Sequence, residues 1–596
     1  MKLKLKDCKV LLFFLVVTTI SYAQYKVSGK VSDTNGRALN LVQIYNEKGA
    51  VLSTTNSKGF YEFTSTKSNL NVIIYSDSYK LKKEQLSLTK PTTTLNFILE
   101  NFSEQLTEVE IKAQRKKVFE LTRLKDVEGT AIYAGKKTEV IQLAESTVNM
   151  ATNNARQIYS QIPGLNIYQN DDAGLQLHIG GRGLDPNRTS NFNTRQNGYD
   201  ISADVLGYPE SYYSPPAEAI QEIQIIRGAA SLQYGTQFGG LVNFVLKKPN
   251  PNKELEILTR NTIGSNGLFT NFTSIGGTKD KFSYYVYYNY KMGDGFRDNS
   301  EFNSKNVFAH LGYAISDKTK IEAELTYMDY LAQQAGGLTD TMFAEDPYQS
   351  NRTRNWFKVD WLLYNFKLNH QFSEKTNFSI NLFGLDAARK AVGYRGNPYI
   401  PNVNPISDPD ILDTDGVNFN YNRDVLIGNF NNWGVEARFL SGYKLFSKEN
   451  VFLIGAKYYN ANNSSEQGAG TKGADADFSI QYDINPIYPN VSSFEYPNKN
   501  LAIFGENIFK LSDKLSITPG FRYENINTKS IGTYETKLFI PSTDILIAGS
   551  SQVINDELEF DRSFVLFGIG ASYKPNKFVE IYGNICLLYT SDAADD

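Results

Sequence analysis

From residue 250 onward the chain keeps apolar or aromatic side chains on one parity and polar ones on the other, and this alternation limits what it can become. In Phe282, Tyr284, Val286, Tyr288 and Tyr290 one parity is apolar or aromatic, while Ser283, Asn289 and Lys291 hold the other. Ile321, Ala323, Leu325 and Tyr327 repeat the pattern against Glu322, Glu324 and Thr326. A period of two sends alternate side chains to opposite faces of a strand. Apolar out and charged in suits a membrane barrel with a wet lumen, whereas a soluble sandwich reverses which side meets water. Short polar turns recur at Thr278–Lys281, Ser316–Lys318, Ser373–Lys375, Ser447–Glu449, Ser512–Lys514 and Pro575–Lys577. Longer irregular segments are expected between them, at about Asp386–Gly428, Asn460–Pro497 and Asn527–Glu559. Short turns at one end and long loops at the other are the topology of an outer-membrane barrel, with the long loops outside the cell.

Composition agrees. Tyr (38) and Phe (37) far outnumber Trp (3), and Met, Cys and His are scarce, which suits strands with aromatic girdles. No apolar run reaches 18 residues; this excludes helical spans but not strand spans, whose alternation dilutes hydropathy. Lys2, Lys4, Lys6 and Lys9 lead into the apolar run Val10–Ile20 and then Ser21-Tyr22-Ala23, the layout of a secretory signal peptide over 1–23. Without those four Lys and Asp7 the formal charge moves from −3 to −6, and no basic patch suggests nucleic acid. The remaining cysteine, Cys586, excludes an internal disulfide or a Cys-rich metal site.

Residues 24–101 read as a small β-sandwich: short strands such as Val27–Val31 and Phe60–Phe63 alternate with Asn/Asp/Gly turns such as Asp33–Gly36. Its Gly-x-Val-x-Asp-x-x-Gly spacing, followed by Thr55, Gly59, Tyr61 and Phe63, resembles the carboxypeptidase regulatory-like domain often fused ahead of Bacteroidetes outer-membrane receptors. No His precedes His178, so the hydrolytic apparatus suggested by that name is not expected.

The stretch Ile220–Pro249 has two apolar runs, Ile223–Ile226 and Leu241–Leu246, around Gly228, Gly235, Gly239 and Gly240, and reads as two strands joined through glycine turns. Arg227-Gly228, Tyr234-Gly235 and Gly239-Gly240-Leu241-Val242-Asn243 closely resemble the end of the plug domain of TonB-dependent outer-membrane receptors. Ala155–Tyr159 with Ile162-Pro163-Gly164 resembles that family's helix and Pro-Gly turn, and His178–Gly183 its Arg-Gly strand end. The resemblance implies a plug over 121–249 and a transmembrane barrel over 250–596. It gives Arg182, Gly183 and Arg227 structural roles, the two arginines holding plug against barrel. It also implies that Leu106-Thr107-Glu108-Val109-Glu110-Ile111, in a linker over 102–120, is a TonB box offered to the energy-coupling complex by β-augmentation. The fold expected is therefore mostly β: a sandwich, an α+β plug and an antiparallel barrel.

About 13 barrel strands are expected, against about 22 in plugged transporters. With the tail from Cys586 to Asp596, this predicts a gene fragment whose barrel does not close.

Arg182–Arg188, Arg195–Ile201 and Tyr208–Pro216 resemble the ferric citrate branch of the family more than its glycan-importing SusC branch. The resemblance implies import of an iron chelate, with iron arriving already chelated and no cofactor or protein metal site. An anionic chelate needs Arg, Lys, Gln and Tyr donors below the loops. Arg188, Tyr212 and Tyr213 on the plug, with Arg352, Arg354, Arg389 and Arg395 near the outer loops, are the candidates. His178 is expected to be a packed strand residue. The acidic run Asp408, Asp410, Asp413, Asp415 lacks the spacing of an EF-hand. Outer-membrane lipid is the other expected partner, and a surface lipoprotein would accompany the alternative, a SusC-like importer of oligosaccharides or peptides. A passive channel or adhesin needs neither stopper nor coupling strand.

Overall fold

The computed structural model describes residues 25–100, 121–394, 419, 421–483 and 491–586, except 35, 48, 77–78, 80, 144–147, 160–161, 170, 176, 182, 190–191, 206–207, 211, 228–230, 236–238, 539, 541–545 and 577–578. The expected signal peptide, the expected TonB box Leu106–Ile111, Arg182, Gly228, Arg395 and the acidic run at 408–415 lie outside these residues. Two compact units divide at residues 117 and 118.

The first unit is a sandwich of eight strands, β1 (Tyr25–Asp33) to β8 (Phe97–Leu99), in two four-stranded sheets. Strand alternation puts Val27, Val31, Ile44, Tyr61, Val72 and Ile74 into one core. The Thr55 hydroxyl is buried there and satisfied, accepting from the Val42 amide at 2.9 Å and donating to the Leu39 carbonyl at 2.7 Å.

In the second unit, strands β9 (Leu121–Thr122) to β20 (Gly240–Leu246) form the plug, built on a six-stranded sheet in which β19 (Ile220–Arg227) lies between β12 (Lys137–Gln142) and β20. β19 and β20 are antiparallel, as their two Ile/Val-rich runs suggest. The connection is more than glycine turns: a helical turn, Ser231–Tyr234, stands between them. Gly240 closes the unit, because its φ of +108° is unfavourable for any side chain and a Cβ there would lie 2.2 Å from the Ile226 carbonyl oxygen. The helix Ala155–Tyr159 forms as expected, and Gly164 after it takes φ +75°.

The remaining strands, β21 (Glu256–Ile263) to β33 (Val579–Cys586), form one antiparallel sheet of 13 strands in sequence order. The expected parity is observed: Val286, Leu325 and Tyr327 face outward and exposed, while Asn289, Lys291 and Thr326 are buried on the inner side. The long irregular segments are shorter than expected. β27 (Thr376–Gly393) runs on to Gly393, β28 (Asp424–Leu445) begins at Asp424, and β29 (Lys448–Ala469) continues to Ala469. Beyond the lipid band the outer face no longer needs apolar side chains, so apolar alternation stops at runs such as Asn460–Ser465 while the ladder bonds continue.

Candidate functional site

Two zones of the contact between the plug and the inner face of the barrel sheet carry the site. In the first, the helical turn Ser231–Tyr234 presses into the wall. Leu232 is accommodated by the absence of side chains at Gly520 and Gly568, where a Cβ would come within 3.0 and 2.8 Å of its Cδ1. The Gln233 amide donates to the Ile132 carbonyl at 2.6 Å and to Glu506 at 3.2 Å, and its oxygen accepts from Arg438 at 3.1 Å. Two guanidiniums stand over the Tyr234 ring, Arg195 at 4.8 Å and Arg438 at 4.6 Å.

Charges are fully enclosed here, and such charges persist only when paired. Lys136 Nζ, 2 % exposed, donates to both oxygens of Glu506 at 2.6 and 2.7 Å and to the Ile132 carbonyl at 2.8 Å. Burial lowers the Lys136 pKa, with Glu506 pulling it the other way. Glu436 joins Arg195 of the plug, at 3.2 Å, to Arg438 of its own strand, at 2.7 Å. Plug Asp200 pairs with Lys457 at 3.0 Å. Burial alone would raise the Asp200 pKa, but Lys457 and Arg195 overcome it and hold the carboxyl below its ordinary value.

These are among the ties between plug and barrel, a role the sequence reading placed on Arg182 and Arg227. Arg182 is outside the described residues. Arg227 faces Glu139 of the plug's own sheet at 3.2 Å and lies beside Gly164. Asn243 likewise works within the plug, donating to Gln224 and accepting from the Gly198 amide, each at 2.9 Å. Gly183 and Gly235 take φ of +80° and +130°, and Gly239 is buried. His178 is packed in its strand, as expected. The signal for Glu436 and Arg438 was present as charges two apart on an inward parity; Lys136 and Gln233 carried none.

The second zone lies toward the long loops. Tyr212 and Tyr213 are both buried there against the wall. The Tyr212 ring packs on Phe357, Trp361 and Phe430, at centroid distances of 6.1 to 6.3 Å. Its hydroxyl accepts from Arg389 Nε at 3.2 Å, and the guanidinium carbon stands 5.4 Å from its ring centroid. Arg389 is half-buried, and among the described residues its Nη groups find no hydrogen-bond partner. The Tyr213 hydroxyl donates to Gln196 at 3.0 Å, and burial pushes its pKa well above the usual phenol range. Arg188 lies on the short helical turn Asn187–Thr189.

Arg352 and Arg354 are placed differently. Both are buried, and with Arg423 they stitch three loops together. Arg354 Nη1 donates to the carbonyls of Tyr421, at 2.8 Å, and Lys472, at 3.3 Å. Arg423 donates to the carbonyls of Arg354 and Asp475 at 3.2 and 2.6 Å, and Arg352 and Arg354 stand over the Tyr394 ring at 5.2 and 5.4 Å. Of the candidate set, the structure brings Tyr212 and Arg389 together and assigns Arg352 and Arg354 to the loop framework. Among the described residues no cluster of three or more His, Cys, Asp or Glu could hold a metal ion.

A plug locked into an antiparallel strand wall by buried ion pairs defines a gated outer-membrane receptor. Residues 136–241 match the TonB-dependent receptor plug domain, and residues 313–586 match the TonB-dependent receptor-like β-barrel, together well over half of the chain. The chain belongs to the TonB-dependent receptor family, a β-barrel family of the outer membrane whose members are not enzymes. It is similar in fold to the unliganded ferric citrate transporter FecA, with TM-score 0.59, 18% identity and coverage of 76% of this chain and 62% of that one. It is also similar to the ferric yersiniabactin uptake receptor FyuA from Yersinia pestis (TM-score 0.57, 12% identity, 76% and 64% covered). The closed ferric-catecholate import receptor Fiu from E. coli K12 is a third (TM-score 0.57, 12% identity, 77% and 66% covered). The chain thus spans less than two thirds of the length of these receptors.

Proposed function

We propose that this chain serves energised import of an anionic iron chelate, of the ferric citrate or siderophore type, across the outer membrane. The observation that carries this reading is Arg389: a half-buried cation on the inner wall, seated on plug Tyr212 with guanidinium donors to spare. A planar guanidinium with open donors matches a carboxylate-rich anion through paired, charge-assisted bonds that a neutral sugar cannot make. Its contact with Tyr212 also supplies a route by which ligand binding can reach the plug. Leu106–Ile111 is the proposed coupling strand for the TonB complex, and residues 24–101 the proposed carboxypeptidase regulatory-like extension.

The test is equilibrium binding of ferric dicitrate, with a neutral oligosaccharide as control, to the receptor completed to a closed barrel and purified in detergent, at two salt concentrations. Arg389→Ala is expected to weaken chelate binding by about 1.5–3 kcal/mol, the scale of a hydrogen bond to a charged group. Arg389→Lys should recover only part, and added salt should slow association. Salt-insensitive binding of the sugar with none of the chelate overturns the chelate reading in favour of a SusC-like importer.

A further inference from the structure

The turn between β28 and β29, Leu445–Lys448, carries a phenylalanine where it is unfavourable. Phe446 and Ser447 have φ of +48° and +63°, the paired left-handed conformation that hairpins normally give to Asn-Gly. Phe446 is moreover 90 % exposed, so no packing within the protein accounts for it. Strain without internal compensation marks a position held for something outside the chain.

Beside it is a mostly apolar notch of about 220 Å³, lined by Leu445, Phe446, Phe509, Leu511 and Ile517 together with Asn450 and Lys510. Its height is set by the aromatic pairs on the outer surface. Trp433 and Tyr458 pair at 5.5 Å, and Tyr443 and Phe452 pair at 6.0 Å one membrane thickness further along the same strands. Ten residues of tilted strand separate Trp433 from Tyr443, roughly the 25 Å of the apolar band between aromatic girdles. The notch lies just beyond the second girdle, at the level of the periplasmic headgroups, and continues the lipid-facing surface. Lys510 lines it, and Lys444, Lys448 and Lys514 belong to the same two turns, against Glu449 and Asp513; Lys448 pairs with Asp513 at 2.6 Å, and Glu449 pairs with Lys375 at 2.7 Å and with Lys444 at 3.6 Å.

We infer that this notch is a binding site for one glycerophospholipid of the periplasmic leaflet, its apolar part against Leu445, Phe509, Leu511 and Ile517 and its phosphate among the lysines. Phe446 projects beside it into the same interface, where an aromatic ring is favoured. The site would tie two hairpins, β28–β29 and β30–β31 (Ser492–Lys510 and Leu515–Thr536), through one shared lipid.

The test is native mass spectrometry of the protein purified in detergent, after incubation with phosphatidylglycerol or phosphatidylcholine. Wild type should retain one phospholipid per chain and prefer the anionic one. Lys510→Glu and Leu511→Ser, both at the turn surface, should each reduce retention at least tenfold, while Ile454→Ser in the middle of the lipid-facing band should leave it unchanged. Fluorescence of Phe446→Trp should be quenched by brominated phosphatidylglycerol in nanodiscs. No retained phospholipid in wild type, equal retention in the Lys510→Glu and Leu511→Ser proteins, or retention of lipopolysaccharide in its place would each overturn the assignment.

Discussion

Lys136→Met removes one half of the most enclosed ion pair between plug and barrel. The ammonium makes three hydrogen bonds, two to Glu506 and one to the Ile132 carbonyl, and both side chains of the pair are at most 2 % exposed. Without Lys136, Glu506 retains the Gln233 amide at 3.2 Å but no adjacent ammonium. Breaking a buried pair by deleting one partner costs about 3–5 kcal/mol, because a charge remains where water cannot reach it. Replacing both partners, as Lys136→Met with Glu506→Leu, removes that charge and should restore most of the loss. The assay is hydrogen exchange of the amides of β12, which follows Lys136 directly. At about 1.4 kcal/mol per tenfold change, the single variant should exchange at least a hundredfold faster than wild type, and the double variant within about tenfold of it. A single variant protected like wild type, or a double variant as labile as the single, would refute the view that this pair holds the plug.

Three further outcomes are expected. Asp200 has its pKa lowered in the folded protein, so its stabilising effect is complete above the unfolded value of about 3.9 and is lost as pH falls through the lower folded value; plug protection should drop in that acid range, and Asp200→Asn should lose this dependence. Gly240→Ala should destabilise the plug by more than 1 kcal/mol, read as faster exchange in β19 and β20, because the new Cβ meets the Ile226 carbonyl. Arg354→Ala should raise exchange or proteolysis in the loops around 334–355 and 470–483 together, since one guanidinium spans them; loosening of its own loop alone would contradict the framework role.

The barrel was legible in the sequence because lipid on one side and water on the other impose a strict period of two, as at Ile321–Tyr327. The hairpin at the plug's end was legible because Gly240 admits no side chain. The plug–barrel ties were not, because they join residues far apart in the chain, such as Arg195 with Glu436, 241 positions apart, and Lys136 with Glu506, 370 apart, and nothing local distinguishes those charges from solvated ones. Nor did the sequence show that Arg352 and Arg354 donate to backbone carbonyls: an arginine near a loop reads as a ligand donor, yet carbonyls left unpaired by irregular loops compete for its donors. Strand ends were misjudged where the outer face leaves the lipid and polarity no longer alternates.

The most direct test of the account is uptake of labelled ferric citrate by cells carrying this chain completed to a closed barrel, with surface binding measured in parallel, for wild type and for Leu106→Pro. Proline removes a backbone donor that an added coupling strand requires. The account predicts energy-dependent uptake in wild type, and unchanged surface binding with uptake abolished in Leu106→Pro. Uptake that persists without energy or at the wild-type rate in Leu106→Pro would contradict it.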